Sequence, residues 1–213
     1  MGFHMCPLSP EAKSIFIGNE AGLLKKRMPI SVRARSSYNN KNKFKDKYKI
    51  PNIDLQNNDI CKLKLGNDSI LMQMSNKVDK NIINISFLHI IPIFEGKNMH
   101  FNFIGKSDRS EIHVTQFIRE SRCTGDHYDP KNNLPLLGFS IYHSGDKMNL
   151  GWIVSRGGGS GGKMLEAVYN IAKDLGIKRI FFFPDKISAA RFYYHMDFGC
   201  KEFDSDYWNV DVE

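Results

Sequence analysis

A chain of 213 residues, 41% of them hydrophobic, is long enough to bury one complete core and to carry an appendage. Its formal net charge of +7 points to an anionic partner only until it is divided: residues 1–50 hold 11 Lys and Arg against 3 Asp and Glu, and the remainder holds 19 against 20. Basicity therefore identifies no nucleic-acid-binding domain beyond position 50, and no apolar run approaches the roughly 20 residues that cross a bilayer.

The four cysteines, Cys6, Cys61, Cys123 and Cys200, are scattered without a Cys-x-x-Cys pair, which favours a reducing, cytoplasmic setting over a secreted disulfide framework. Met1-Gly2 begins like an acylation signal, but Cys6 stands where Ser or Thr is needed. The stretch between Glu20 and Asp46 has no acidic residue and is rich in Arg, Lys and Ser, which leaves an organelle-targeting segment as an alternative.

In chain order, residues 10–26 have the spacing of a short amphipathic helix, and Arg33 to Lys49 has too few apolar residues to offset its ordering entropy. Residues 1–61 are expected to form a basic, flexible region, available to an anionic partner, ahead of a domain over 62–213. Ile85 to Ile91 reads as a strand, and Met99, Phe101 and Phe103 alternate with polar residues as a half-buried strand does, with Glu95 to Asn98 turning between them. Asp108 and Glu111 have the spacing of a capping box, which favours a helix through Val114, Phe117 and Ile118, although Ile112, Val114 and Gln116 also alternate. Thr124 to Asn133 is polar and turn-like.

Leu136 to Tyr142 and Asn149 to Val154 read as an antiparallel pair joined through Ser144-Gly145-Asp146-Lys147. After the second of these come the glycines of Arg156-Gly157-Gly158-Gly159-Ser160-Gly161-Gly162. From Lys163 the apolar residues Leu165, Val168, Ala172 and Leu175 recur at helical steps, and Gly176 is the expected stop. Ile180 to Phe183 is apolar on both faces, as a central strand is, and an aromatic helix begins near Ser188. Cys200 to Phe203 and Tyr207 to Val212 flank a turn at Asp204-Ser205-Asp206. The sum is an α/β fold.

A turn with five glycines between a strand and a helix exposes backbone N–H groups free of β-carbons, and the helix dipole behind it adds about half a positive charge. That suits a pyrophosphate. Arg156-x-x-Gly159-x-Gly161 before a helix resembles the acyl-CoA-binding signature of the GNAT superfamily of N-acyltransferases, and Ser188-Ala189-Ala190-Arg191-Phe192-Tyr193-Tyr194-His195-Met196-Asp197-Phe198 is similar to its second cofactor-contacting motif. The connected stretch that carries the resemblance, Met148 to Gly199, covers about a quarter of the chain. Departures are that Ser155 runs directly into Arg156, that Lys186 stands where the family often has asparagine, and that Asp197 replaces a glycine.

The resemblance implies a mixed, mostly antiparallel sheet flanked by helices, and transfer of an acetyl group from acetyl-CoA directly to a primary amine of a protein, a small molecule or an RNA. It implies that Ile153 and Val154 pair with the pantetheine arm and that Arg156, Gly157, Gly158, Gly159, Ser160, Gly161, Gly162 and Lys163 surround the pyrophosphate. Tyr193 aligns with the leaving-group acid, or else is a core tyrosine. Asp185 and His143, at expected strand ends, are candidate bases, because a free amine near pKa 10 must lose a proton before it attacks.

Other chemistries find less. Gly157 to Lys163 has Walker-like spacing, but Met164 replaces the magnesium-holding Ser or Thr. The histidines form no His-Glu-x-x-His, Asp126 to Asp129 reads as a polar turn, and Ser160 lacks the context of a hydrolase elbow. The competing class is an inactive module that keeps the fold, with or without acyl-CoA binding, for partner recognition.

Overall fold

The computed structural model describes residues 28–35, 60–65, 68–75, 77–94, 99–116, 137–155, 159–201 and 207–213. These form an open nine-stranded sheet in the order β1 (Ile60–Leu65), β2 (Asp68–Ser75), β3 (Met99–Gly105), β4 (Ser110–Gln116), β5 (Leu137–Ser144), β6 (Lys147–Ser155), β7 (Arg179–Phe182), β9 (Trp208–Asp211) and β8 (Cys200–Lys201). Neighbours are antiparallel except at β2/β3 and β6/β7. Each parallel step is made by a helix, α1 (Lys80–Phe94) after β2 and α2 (Ser160–Asp174) after β6. A third helix, α3 (Ile187–His195), leads from β7 towards β8.

Period-two alternation divides the sheet into two faces. The register aligns Met74, Phe103, Ile112, Ile141, Leu150, Phe182 and Trp208 across seven strands, all of them buried. Helices cover this face: Phe87 of α1 lies 5.5 Å from Phe101, and Tyr193 of α3 lies 4.5 Å from Phe182, ring to ring. Burial of each such aromatic contributes about 1.5–3 kcal/mol, so this layer dominates stability. On the opposite face the same register aligns Gln73, Asn102, His113, Ser140 and Trp152.

Two expected elements are replaced. Ile85 to Ile91 is helical, because Ile83, Phe87, Ile90 and Ile91 form one buried face and the Asp79 carboxylate accepts the Asn81 N–H at 2.8 Å to cap the helix start. The segment after Asp108 is strand β4, because Ile112 and Val114 both face the core and Glu111 accepts side-chain bonds instead of capping a helix. A four-residue turn closed by Lys106 N–H to Arg109 O, 2.8 Å, joins it to β3. The β5/β6 hairpin, α2, β7, α3 and the C-terminal antiparallel pair lie where sequence placed them. Gly176 follows α2 at φ 72°, with Ile177 N–H closing on Ala172 O at 2.9 Å.

Residues 28–35 fall inside the region expected to be flexible, and their part of it is packed. Ile30 and Ala34 join the core, Asn170 of α2 donates to Ala34 O at 3.0 Å, and Arg33 reaches Glu166 and the carbonyl of Met196. The expected helix over 10–26, the turn at 95–98, the polar stretch at 124–133 and the turn at 204–206 lie outside the described residues.

Candidate functional site

Parallel strands β6 and β7 pair only from Lys147 to Leu150 with Arg179 to Phe182. Beyond Leu150 they part. β6 stays paired with β5 as far as Ser155, so among the described residues Gly151 to Ser155 keeps one strand neighbour, and its other edge borders a cleft. A register shift between Ser140 and Ile141 marks a bulge opposite Gly151, which bends β6 where the split begins. The cleft has a volume of about 740 Å³, within the range of small-molecule sites.

Backbone forms one wall and helices the other. Gly151, Ile153 and Val154 line the β6 side, while Phe183, Asp185, Phe192 and Tyr193 line the side formed by the end of β7 and by α3. Gly159, Gly161 and Gly162 close one end, where α2 starts. Gly159 takes the N-cap position at φ 73°, in the left-handed region that a side chain disfavours, and among the described residues no side chain caps the helix. The first turn of α2 holds no acidic residue. The positive end of a 15-residue helix thus opens on the cleft with nothing nearby on its own first turn to neutralise it.

Gly161 and Gly162 also have a packing reason. A β-carbon at 161 would lie 3.0 Å from the Phe192 ring, and one at 162 would overlap the Met196 methyl. Both glycines let α2 approach α3 closely enough to make the cleft narrow. Asp197 sits at φ 48°, a left-handed conformation that Asp tolerates better than most residues. The glycine expected there by resemblance is thereby replaced without loss of the turn: Phe198 N–H still closes on Tyr193 O at 2.9 Å.

Tyr193 is 5% exposed, in an aromatic group with Phe182, Phe192 and Phe198, and borders the cleft. Burial pushes its phenol well above the ordinary tyrosine range, and the Asp185 carboxylate adds to the shift. It is therefore a protonated donor at neutral pH and not a base. Its burial is that of a core tyrosine, at a position that borders the cleft.

The other expected residues are distributed unevenly. Asp185 is exposed on the rim. His143 pairs with Met148 towards the turn end of the β5/β6 hairpin and does not line the cleft. Ser160 and Lys163 belong to the first turn of α2, with Lys163 exposed. Arg156, Gly157 and Gly158 lie outside the described residues. Sequence reasoning missed Gly151, Phe183 and Phe192 as cleft residues; the signal for Gly151 was a glycine inside an apolar strand, which marks a bulge or a close approach. Among the described residues no group of three His, Cys, Asp or Glu is placed to hold a metal ion, and no helix is long and apolar enough to cross a membrane.

Comparison of the chain with family models, with curated proteins and with solved structures gave no match.

Proposed function

We propose that the chain is a GNAT-like N-acyltransferase that passes an acetyl group from acetyl-CoA to a primary amine. The observation that carries this reading is the coincidence, in one cleft, of a β6 edge released by strand splaying with the uncapped N-terminus of α2. A thioester ligand with an amide-bearing arm and a diphosphate needs both: backbone groups for the arm and a positive helix end for the phosphates. The glycine and tyrosine motifs whose sequence resembles that family border the same space.

Acetyl-CoA supplies the activated acyl carbon when bound. The chain's own groups do the rest. Ile153 and Val154 offer strand-like pairing to the arm, and Gly159 and Gly161 leave room for phosphate oxygens against the α2 N-terminus. The β6 bulge at Gly151 would offer a backbone N–H to the developing oxyanion, which is where a preorganised donor helps most. Tyr193 donates its phenolic hydrogen to the departing sulfur.

An inactive acyl-CoA-binding module is the second reading, favoured by the packing reasons for Gly161 and Gly162. Thiol release from acetyl-CoA in the presence of primary amines separates the two. In an active enzyme, Tyr193→Phe lowers turnover at least tenfold and leaves acetyl-CoA affinity within about twofold, in line with loss of one general acid. Equal turnover by Tyr193→Phe and the parent removes Tyr193 from the mechanism, and absence of turnover with intact acetyl-CoA binding selects the module.

A further inference from the structure

Residues from both faces of the sheet line the one cleft, so it runs between β6 and β7 from face to face. Phe192 and Tyr193 of α3 stand on the helix-covered face. Trp152 and Phe183 stand on the opposite one. Trp152 pairs with Ser140 in the row that points away from the helices. Phe183 follows Phe182, whose ring packs with Tyr193 and Trp208 on the helix side, so alternation turns Phe183 the other way, and its ring meets the edge of Tyr207 at 5.9 Å. β6 and β7 last pair at Leu150 and Phe182, which puts Trp152 and Phe183 just past the fork. Both are half-buried, and Tyr207 against Phe183 is 54% exposed.

The charges of this mouth are ordered as well. Asp185 and Lys186 line the cleft where α3 begins. The Asp185 carboxylate acts on the buried Tyr193 hydroxyl and helps to keep its proton on, whereas Lys186 makes no such contribution. The charge felt at the Tyr193 end is therefore negative. A carboxylate there opposes a departing thiolate and so gives no help to the acyl donor, but it suits a cationic acceptor. Asp185 is also the only acid among the described lining residues, and Lys186 next to it repels a second positive charge. One ammonium is matched; a polycation is not.

We infer that Trp152, Phe183 and Asp185 form an acceptor subsite for a monocationic primary amine that carries an aromatic ring, with the ring against Trp152 and Phe183 and the ammonium beside Asp185. This rests on the acyltransferase reading. Aromatic side chains take a flat ring by offset or edge-to-face contact, and their faces also attract a nearby cation, so the same walls serve both parts of the ligand. The glycines at the start of α2 lie on the helix-covered side, which leaves this mouth to the acceptor. A small amine without a ring leaves both aromatic residues uncovered, and a polyamine brings further charges against Lys186.

The test is calorimetry on the full chain, with and without added CoA, and 2-phenylethylamine as the probe. The probe is expected to bind about tenfold more tightly than propylamine, which has no ring, and than spermidine, a polyamine. This comparison needs no variant. Trp152→Ala is expected to weaken the probe about tenfold, and Trp152→Phe to restore most of the affinity. Asp185→Asn is expected to weaken 2-phenylethylamine about threefold and to leave the uncharged 2-phenylethanol unchanged, a split that a purely structural role would not produce. Equal affinities for 2-phenylethylamine and propylamine, tighter binding of spermidine, or no binding of the probe in either condition by the folded parent overturns the subsite. Acetyl-CoA titrated into the same sample reads the donor site by itself. Selective amine binding without acetyl-CoA binding contradicts the acyltransferase reading alone, and acetyl-CoA binding without amine selectivity overturns the subsite alone.

Discussion

The ring of Tyr142 occupies the space in which Gly151 would carry a side chain. A β-carbon there would overlap the ring and approach Ser140 Oγ at 2.7 Å. The ring has little freedom to yield, with Arg109 over its face at 5.7 Å and His113 against its edge. Gly151→Ala is therefore expected to destabilise the fold by about 1–3 kcal/mol through overpacking, read from denaturant unfolding. Gly145→Ala, with open space around the β-carbon but φ 57°, serves as the comparison: there the cost is backbone strain alone, about 1 kcal/mol.

Arg33 ties the N-terminal segment to the cleft. Its guanidinium donates to the Met28 and Met196 carbonyls and lies 3.6 Å from Glu166, beside the start of α2. Arg33→Ala is expected to cost about 1.5–3 kcal/mol, as buried charged hydrogen bonds do, and to speed proteolysis within residues 28–35 before the rest of the domain opens. Unchanged stability together with unchanged cleavage would show that this segment docks without help from Arg33.

The His89 ring meets Asp174 at 2.8 Å, joining α1 to α2 with side chains 3% and 11% exposed. Asp174→Ala leaves the imidazole facing a nearly closed space. A loss of about 1–3 kcal/mol in unfolding free energy is expected, and a loss below about 0.3 kcal/mol would mean that water replaces the carboxylate.

Stability should fall in acid partly through Glu111. Its folded pKa lies below the ordinary 4.5, so it adds stability above that value and loses it as pH drops through the lower, folded one. Between pH 6 and pH 3 the parent should lose more stability than Glu111→Gln. Parallel curves would contradict the depressed value.

Much of this was legible before the structure, and the exceptions have physical causes. The hairpin, α2 and β7 announced themselves because period and punctuation agree: alternating or continuous apolar runs bounded by Gly145-Asp146 and Gly176. Ile85 to Ile91 misled because a short apolar run has no visible period; the capping Asp79 and the span from Ile82 to Ile91 were the usable signals. Asp108 and Glu111 imitated a capping box because the same spacing also puts a carboxylate within reach of a turn arginine on a strand. The cleft's glycines were visible locally. Its depth was not, since that depends on where β6 and β7 stop pairing, a relationship between residues some 30 positions apart.

We propose that the cleft between β6 and β7 binds acetyl-CoA with its diphosphate at the start of α2. Calorimetry with acetyl-CoA on the full chain tests it most directly. The expected result is one molecule bound per chain, displaced by CoA and weakened by added salt, with Gly161→Leu, which pushes into Phe192 and the cleft, lowering affinity at least tenfold. No heat of binding from the intact chain, with circular dichroism showing it folded, would contradict the claim.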